Sequence, residues 1–184
     1  MERKPPSSLT SPKFVEIIKI LMIGDGGVGK TTLLHRLVTG GYSEQSMTIG
    51  VGFASKVMRT LDGREVKLQV WDVAGQSRFR LLVPSARGGA KGIILVFDLS
   101  RPSTFVRLDD WVRLARSDLP PERHVPIVLV GAKCDLARKV LTEEARSFTA
   151  RMKLDEYIET SSKGNINVER PFEKLLQLLV QKPR

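Results

Sequence analysis

Gly24-Asp25-Gly26-Gly27-Val28-Gly29-Lys30-Thr31 decides the fold of this 184-residue chain. The octapeptide fits G-x-x-x-x-G-K-[ST] without a mismatch, and its context is the one the pattern requires. Phe14 to Ile23 before it is strand-like, and a helix is expected from Thr31 to about Val38. Glycine lets the backbone close around phosphate with successive N–H groups turned inward. The helix starting near Lys30 adds the positive end of its dipole. Lys30 is expected to reach the β and γ phosphates, and the Thr31 hydroxyl to ligate Mg²⁺, a hard cation that prefers oxygen. Gly26, Gly27, Val28, Gly29, Lys30, Thr31 and Thr32 are therefore expected to bind the nucleotide. The competing reading is a glycine turn with an incidental lysine. A pattern fixing four positions arises by chance in roughly one chain of this length in a hundred, and the strand–helix setting makes chance rarer still.

Outward from the loop, strand-like and helix-like stretches alternate. Val57 to Leu61 and Val66 to Trp71 flank Asp62-Gly63, a dipeptide that predicts an antiparallel hairpin. Ile93 to Leu99 and Ile127 to Val130 are continuous apolar runs, as in strands buried on both faces of a parallel sheet. Between them a helix is expected from Ser103, with Phe105, Leu108, Trp111 and Val112 at helical spacing. Thr142 reads as the N-cap of another helix, with Glu143 and Glu144 in its first turn. Leu154 to Glu159 reads as a last strand, and Phe172, Leu175, Leu176 and Leu179 mark a closing amphipathic helix. The expected architecture is α/β: a six-stranded, mostly parallel sheet with one antiparallel edge strand and helices on both faces.

Composition agrees with a single domain. The 41% apolar content, together with 15 glycines, supplies a core of ordinary size. The longest apolar run, Ile93 to Phe97, is far short of a membrane span. Cys134 alone permits no internal disulfide, and His35 and His124 lack neighbouring metal-ligand patterns. Thirty basic against 20 acidic residues give a net charge of +10, a sign that suits anionic partners. The basic residues are scattered without interleaved aromatics, so nucleic acid is not the expected partner. Residues 1–13, with Pro5, Pro6 and Pro12, are expected to be a disordered arm, 14–181 one domain, and 182–184 a short end.

Later segments narrow the chemistry. Thr48-Ile49-Gly50-Val51-Gly52-Phe53 resembles the switch I segment, and Trp71-Asp72-Val73-Ala74-Gly75-Gln76 the start of switch II, of small GTPases of the Ras superfamily. Lys133-Cys134-Asp135 is similar to the last three residues of the N-K-x-D motif. Glu159-Thr160-Ser161-Ser162-Lys163 is similar to the E-T-S-A-K loop. The resemblance is to the Rab branch above all and covers about residues 14–180. It implies a G domain that binds GTP or GDP with Mg²⁺ and hydrolyses GTP slowly. Thr48 would close over metal and γ-phosphate, Asp72 would hold the metal through water, and the Gly75 amide would sense the γ-phosphate. Gln76 would orient the attacking water, with Lys30 and Thr48 completing the catalytic set. Metal ligands would be Thr31, Thr48 and Asp72. Asp135 would accept from N1–H and the 2-amino group of guanine, donors that adenine lacks there. Lys133 would lay its stem along the purine and Tyr42 would cover the edge of the base. Ser161, Ser162 and Lys163 would complete the base pocket. Phe53 and Trp71 would contribute to an effector patch, and the implied partners are effectors, an exchange factor and a GTPase-activating protein.

The sequence departs from the family pattern in defined places. Ala132 stands where the motif has asparagine, which predicts weaker nucleotide binding through faster release with guanine preference retained. Met47 precedes Thr48 in a shortened switch I, and Ala86-Arg87-Gly88 replaces aromatic residues of the effector surface. The sequence places no arginine finger at the site: Arg78 and Arg80, near Gln76, read as surface residues. The last residues, Val180-Gln-Lys-Pro-Arg, contain no cysteine for prenylation, and Met1-Glu2 does not fit N-myristoylation. The expectation is a cytoplasmic protein whose scattered positive charge offers at most weak attachment to anionic membranes. A nucleotide-stabilised scaffold that neither switches nor hydrolyses efficiently is the alternative that Ala132 favours.

Overall fold

The computed structural model of the chain describes residues 16–120 and 123–180. The boundaries expected at residue 13 and beyond residue 181 lie outside the described residues, as do the first two residues of the expected first strand. Within them the order is β1 (Glu16–Ile23), α1 (Lys30–Thr39), β2 (Val51–Arg59), β3 (Glu65–Val73), a 3-10 turn (Ser77–Phe79) and α2 (Leu82–Arg87). There follow β4 (Gly92–Asp98), α3 (Pro102–Val106), α4 (Leu108–Arg116), β5 (Ile127–Ala132), α5 (Thr142–Arg151), β6 (Glu156–Thr160) and α6 (Arg170–Val180).

The six strands form one sheet in the order β2-β3-β1-β4-β5-β6. Only β2 and β3 pair antiparallel, from Val51↔Val73 to Arg59↔Glu65, while the other neighbours run parallel. Strand alternation divides the core in two. Ile20, Met22, Ile94 and Val96 face Leu33 and Leu37 of α1 and Phe172, Leu175 and Leu176 of α6. Leu21, Ile23, Ile93, Leu95 and Phe97 face Leu108, Trp111 and Val112 of α4 and Phe148 of α5. All seven residues of β4 are buried, which explains why that segment reads as an unbroken apolar run rather than an alternating one.

Three local features differ from the sequence reading. The helix expected from Ser103 is two helices separated at Arg107. Leu108, Trp111 and Val112 are all buried and Phe105 packs against the same cluster, so apolar spacing carries no sign of the break. Thr142 is not an N-cap: it is the first residue of α5, and its hydroxyl donates to Glu159 Oε1 at 2.8 Å. The helix start is held instead by Glu144, whose Oε2 accepts from the Leu141 amide at 2.7 Å. Finally β2 begins six residues before the expected Val57, because an edge strand with mostly half-exposed side chains shows little alternation.

One further contact ties elements together at the sheet's flank. Arg87, at the end of α2, is 8% exposed, and its Nη1 donates to the carbonyl of Ala115 at 3.1 Å and to that of Ser117. These are carbonyls at the end of α4, left without helical partners of their own. The position expected to weaken the effector surface is thus occupied by a clamp between two helices.

Candidate nucleotide site

The site is built at the carboxyl edge of the parallel strands, where β1 ends and α1 begins. Gly24 turns the chain there with φ 140°, and a Cβ on it would lie 2.1 Å from the Val96 carbonyl oxygen of β4. Only glycine fits that approach. Lys30 is 5% exposed, and its ammonium donates to the carbonyls of Gly24 at 2.8 Å and Asp25 at 2.9 Å, bracing the loop from within. Burial pushes the Lys30 ammonium down to about 8, with the charges of Asp72 and Asp25 opposing the shift. A buried cation hydrogen-bonded to carbonyls, with carboxylates acting on it only through their charge, is well suited to an anionic ligand.

Beside the loop is a cavity of about 280 Å³. Gly26, Gly27, Gly29, Lys30, Thr31 and Thr32 form its floor. Tyr42 and Thr48 close one side, Gly75 and Gln76 another, and Lys133 the end. Eleven of the residues expected from the sequence therefore meet around one space. Val28 does not line it: its side chain is fully buried in the core under α1. Asp72, Asp135, Ser161, Ser162 and Lys163 do not line it either. Asp135 accepts a hydrogen bond from Ser161 Oγ at 2.5 Å, and Ser161 Oγ accepts in turn from the Gly164 amide at 2.8 Å. That pair fixes one carboxylate oxygen of Asp135.

Three oxygens from three separated segments converge. The Thr31 and Thr48 hydroxyls are 2.5 Å apart, Thr31 donates to Asp72 Oδ2, and Thr48 reaches the same oxygen at 3.4 Å. Asp72 is 1% exposed, and its other oxygen, Oδ1, is buried without a hydrogen-bond partner among the described residues. Burial raises the Asp72 carboxyl above its ordinary value, against the pull of Lys30 and the two threonines. Hydroxyl and carboxylate oxygens with one orphaned acceptor fit a hard divalent cation such as Mg²⁺, and Thr31, Thr48 and Asp72 are the residues that would hold it.

Gly75 presses against the phosphate loop. A Cβ there would sit 2.2 Å from the Asp25 carbonyl carbon and 2.3 Å from both Gly24 O and Gly26 N. The next residue, Gln76, brings its Cγ to 3.9 Å from the point a Cβ on Gly26 would occupy, and Met47 brings its methyl to 3.5 Å. Met47, exposed at 61% yet reaching over Gly26, was legible only as a departure from the family pattern.

Lys133 adopts φ 63°, and its ammonium donates to the Gly27 carbonyl at 2.9 Å and pairs with Asp98 at 2.7 Å. Burial opposes ionisation of Asp98, but Lys133 and Ser100 outweigh it and hold the carboxyl below its ordinary value. Lys133 thus braces the phosphate loop from the residue next to Ala132.

Two groups escaped the sequence reading. Asp25, a free position in the loop pattern, is 5% exposed and accepts from Trp111 Nε1 at 2.9 Å, Arg107 at 3.2 Å and Arg80 at 3.3 Å. Arg80 is accordingly not the surface residue expected: its guanidinium also lies 4.8 Å over the Trp111 ring. Pattern spacing could not reveal this, because the partners lie 55 to 86 residues away from Asp25. The second is Arg101, whose Nη2 donates to the Gly26 carbonyl at 2.6 Å.

On the neighbouring face Phe53 meets Trp71 edge-on, with ring centroids 6.0 Å apart at 76°. Lys19 lies over the Trp71 ring at 4.0 Å, and Phe53 remains 58% exposed.

A lysine turned into a glycine-rich loop at the carboxyl edge of a parallel sheet, with a carboxylate and two hydroxyls gathered beside it, defines a P-loop nucleotide-binding domain. Comparison with known proteins narrows the class. Residues 19–181 match the Ras family. The chain is 40% identical over 163 residues to the Ras-related protein Rab-11A of Dictyostelium discoideum, covering 87% of this chain and 74% of that protein. It is 39% identical over 172 residues to the Ras-related protein Rab-18 of Lymnaea stagnalis, covering 93% and 84%. Identity to the Ras-related protein RABA2a of Arabidopsis thaliana is 39% over 163 residues, covering 87% and 73%. The chain belongs to the Ras family and is a Rab-like small GTPase.

Proposed function

We propose that this protein is a guanine-nucleotide switch that hydrolyses GTP slowly and signals through its two switch segments in trafficking or signalling. The observation that carries the reading is the gathering of Thr48, Thr31 and Asp72, which come from the loop before β2, the start of α1 and the end of β3. Three segments far apart in the chain are thus held at one point by oxygen-bearing side chains, the arrangement that a shared metal and phosphate would use. Loss of a γ-phosphate removes the contact that holds such loops, and they are released together.

The roles follow from position. The loop amides and Lys30 bind the phosphates, and Lys30 stabilises charge that grows on the transferred group. Thr31, Thr48 and Asp72 are the residues to hold Mg²⁺, which when bound neutralises phosphate charge. The Gly75 amide reads the γ-phosphate, and Gln76 orients the attacking water. Asp135, kept in place by Ser161, accepts from the guanine edge, and an adenine there would leave it unpaired. Lys133 flanks the purine, Tyr42 covers its edge, and Ser162 and Lys163 complete the pocket. Effectors, an exchange factor and a GTPase-activating protein are the partners this reading implies, and the exposed Phe53 beside Trp71 supports an effector contact on that face. The domain extends over 14–181 in this reading.

Single-turnover hydrolysis of GTP with Mg²⁺ tests the proposal. Hydrolysis that falls sharply in Gln76→Leu, with GTP bound and ATP not, supports it. A scaffold that holds nucleotide without switching is the second reading, favoured by Ala132. It predicts bound GDP, no turnover above Gln76→Leu, and no spectroscopic difference between GDP and GTP complexes.

A further inference from the structure

Beside the nucleotide cavity is a second space of about 320 Å³, and the two have Gly26, Gly75 and Gln76 as common walls. Arginines 80, 101 and 107 border the second space. Their charges are not equivalent. Arg80 and Arg107 are both satisfied by the Asp25 carboxylate, and Arg80 approaches Asp110 as well. Arg101 has no carboxylate partner among the described residues. Its guanidinium is held by a single carbonyl, that of Gly26, at 2.6 Å.

The position of that carbonyl matters. Gly26 and Gly27 form the bend of the phosphate loop, and both terminal nitrogens of Arg101 lie 3.7–3.8 Å from where a Cβ on Gly27 would be. The guanidinium thus lies against the loop beside Gly26, which also meets Gln76. A guanidinium has five N–H donors in a fixed fork, and one carbonyl uses only part of that capacity. A guanidinium held against the phosphate loop by one carbonyl, with no carboxylate partner among the described residues, keeps donors and charge to offer an anionic ligand.

We propose that Arg101 is a catalytic residue, an arginine supplied in cis to the transferred phosphoryl group. The inference rests on the GTPase reading above. In the step it serves, the oxygen of water bonds to the γ-phosphorus as the bond to the β–γ bridging oxygen breaks. The electron pair of that bond stays on the bridging oxygen of GDP, and the proton of the water ends on the released phosphate. Negative charge grows on the bridging and γ oxygens, and the donors of Arg101 left over from Gly26 would meet it once the side chain swings past Gly26 from the adjacent space into the nucleotide cavity. Asp25 has a supporting part: by drawing Arg80 and Arg107 to itself it leaves Arg101 as the arginine free to reach the loop.

The experiment is single-turnover hydrolysis by full-length protein preloaded with γ-labelled GTP, started with Mg²⁺ and no partner protein. Arg101→Ala is expected to hydrolyse roughly 100- to 1,000-fold more slowly, the range found for loss of one preorganised charge-stabilising donor. GDP release should stay within about threefold, and Arg113→Ala, which removes an exposed charge from α4, should match the wild type. Arg101→Lys should recover only part of the rate, since a point charge lacks the fork. A second readout is ¹⁹F NMR of GDP with aluminium fluoride, which mimics the transferred group. The wild type is expected to bind it unaided and Arg101→Ala is not. If Arg101→Ala hydrolyses within twofold of an active wild type and binds the fluoride complex equally, Arg101 only clamps the loop and the proposal is overturned. If the wild type itself does not exceed Gln76→Leu, the GTPase reading fails, and this proposal with it.

Discussion

Ala132 pairs with Thr160 across β5 and β6, and the Thr160 hydroxyl, 1% exposed, has no hydrogen-bond partner among the described residues. An amide-bearing side chain at 132 would stand between this hydroxyl and Gly29, since the Ala132 Cβ lies 3.9 Å from where a Cβ on Gly29 would be. Under the guanine-nucleotide reading, alanine in place of the family's asparagine forgoes a contact to the base, and its methyl offers nothing to the buried Thr160 hydroxyl. Ala132→Asn is expected to slow GDP release. The hydrogen bond regained to the base is worth ~0.5–1.5 kcal/mol net, which corresponds to roughly a 2- to 10-fold slower rate. Stopped-flow release of a fluorescent GDP analogue measures it, and an unchanged rate would dismiss this account of Ala132.

Gly75 has no room for a side chain, because any Cβ would overlap the backbone of residues 24–26. Neither side of that contact can give way as a flexible side chain could. Gly75→Ala should keep GDP but displace Gln76, and a displacement of about 1 Å can cost roughly 100-fold in rate. The fluorescence difference between GDP and non-hydrolysable GTP complexes, reported by Trp71, should vanish along with hydrolysis. A variant that still shows both would mean that the contact has nothing to do with sensing phosphate.

Asp25 neutralises two guanidiniums and accepts from a buried indole. Its loss leaves the Trp111 N–H dry and unpaired while the arginines keep partial access to solvent. Asp25→Ala is therefore expected to lose about 2–3 kcal/mol, less than removal of one member from a fully buried pair. For a chain of this length that corresponds to roughly 5–10 °C in Tm. Calorimetry of the GDP-bound variant decides, and a drop under 1 °C would show that the cluster contributes no stability.

Glu159 gives a pH signature. Hydrogen bonds from Arg138, Thr142 and Tyr157 hold its carboxyl at about 2, against an ordinary 4.5, with burial opposing. A depressed folded value means that the unfolded chain binds the proton more readily. The stability contribution is thus complete above the ordinary value and is lost as pH falls from about 4.5 towards 2. The wild type should exceed Glu159→Gln in Tm at neutral pH, and the gap should close across that acid range. A gap that stayed constant down to pH 3 would rule out ionisation as its cause.

What was legible in the sequence is what local pattern dictates. The loop from Gly24 to Thr31, the hairpin at Asp62-Gly63 and the buried runs of β4 and β5 all announce themselves within a few residues. Residues around the cavity were found because motifs fix their spacing. Three-dimensional partnerships were not legible. Asp25 occupies a variable position of the loop pattern, and its role depends on Trp111, which periodicity marks only as core. Arg80 looked like surface because nothing in Arg78 to Arg80 shows which side the 3-10 turn presents. Thr142 was mistaken for a cap because a threonine before two glutamates fits that role, and only the fold brings Glu159 to its hydroxyl. The bend at Arg107 left no trace because the apolar positions on either side of it stay on one face.

Arg87 sets the reach of any motion in this molecule. Because its guanidinium fastens the end of α2 to the last carbonyls of α4, the segment behind Gly75 is pinned at its far side. A rearrangement that starts at Gly75 must be absorbed before Arg87, like a short drawbridge with a bolted hinge. If the proposed switch operates, a partner sensing nucleotide state would have to look between Gln76 and Leu81, and would find the ground beyond Arg87 still.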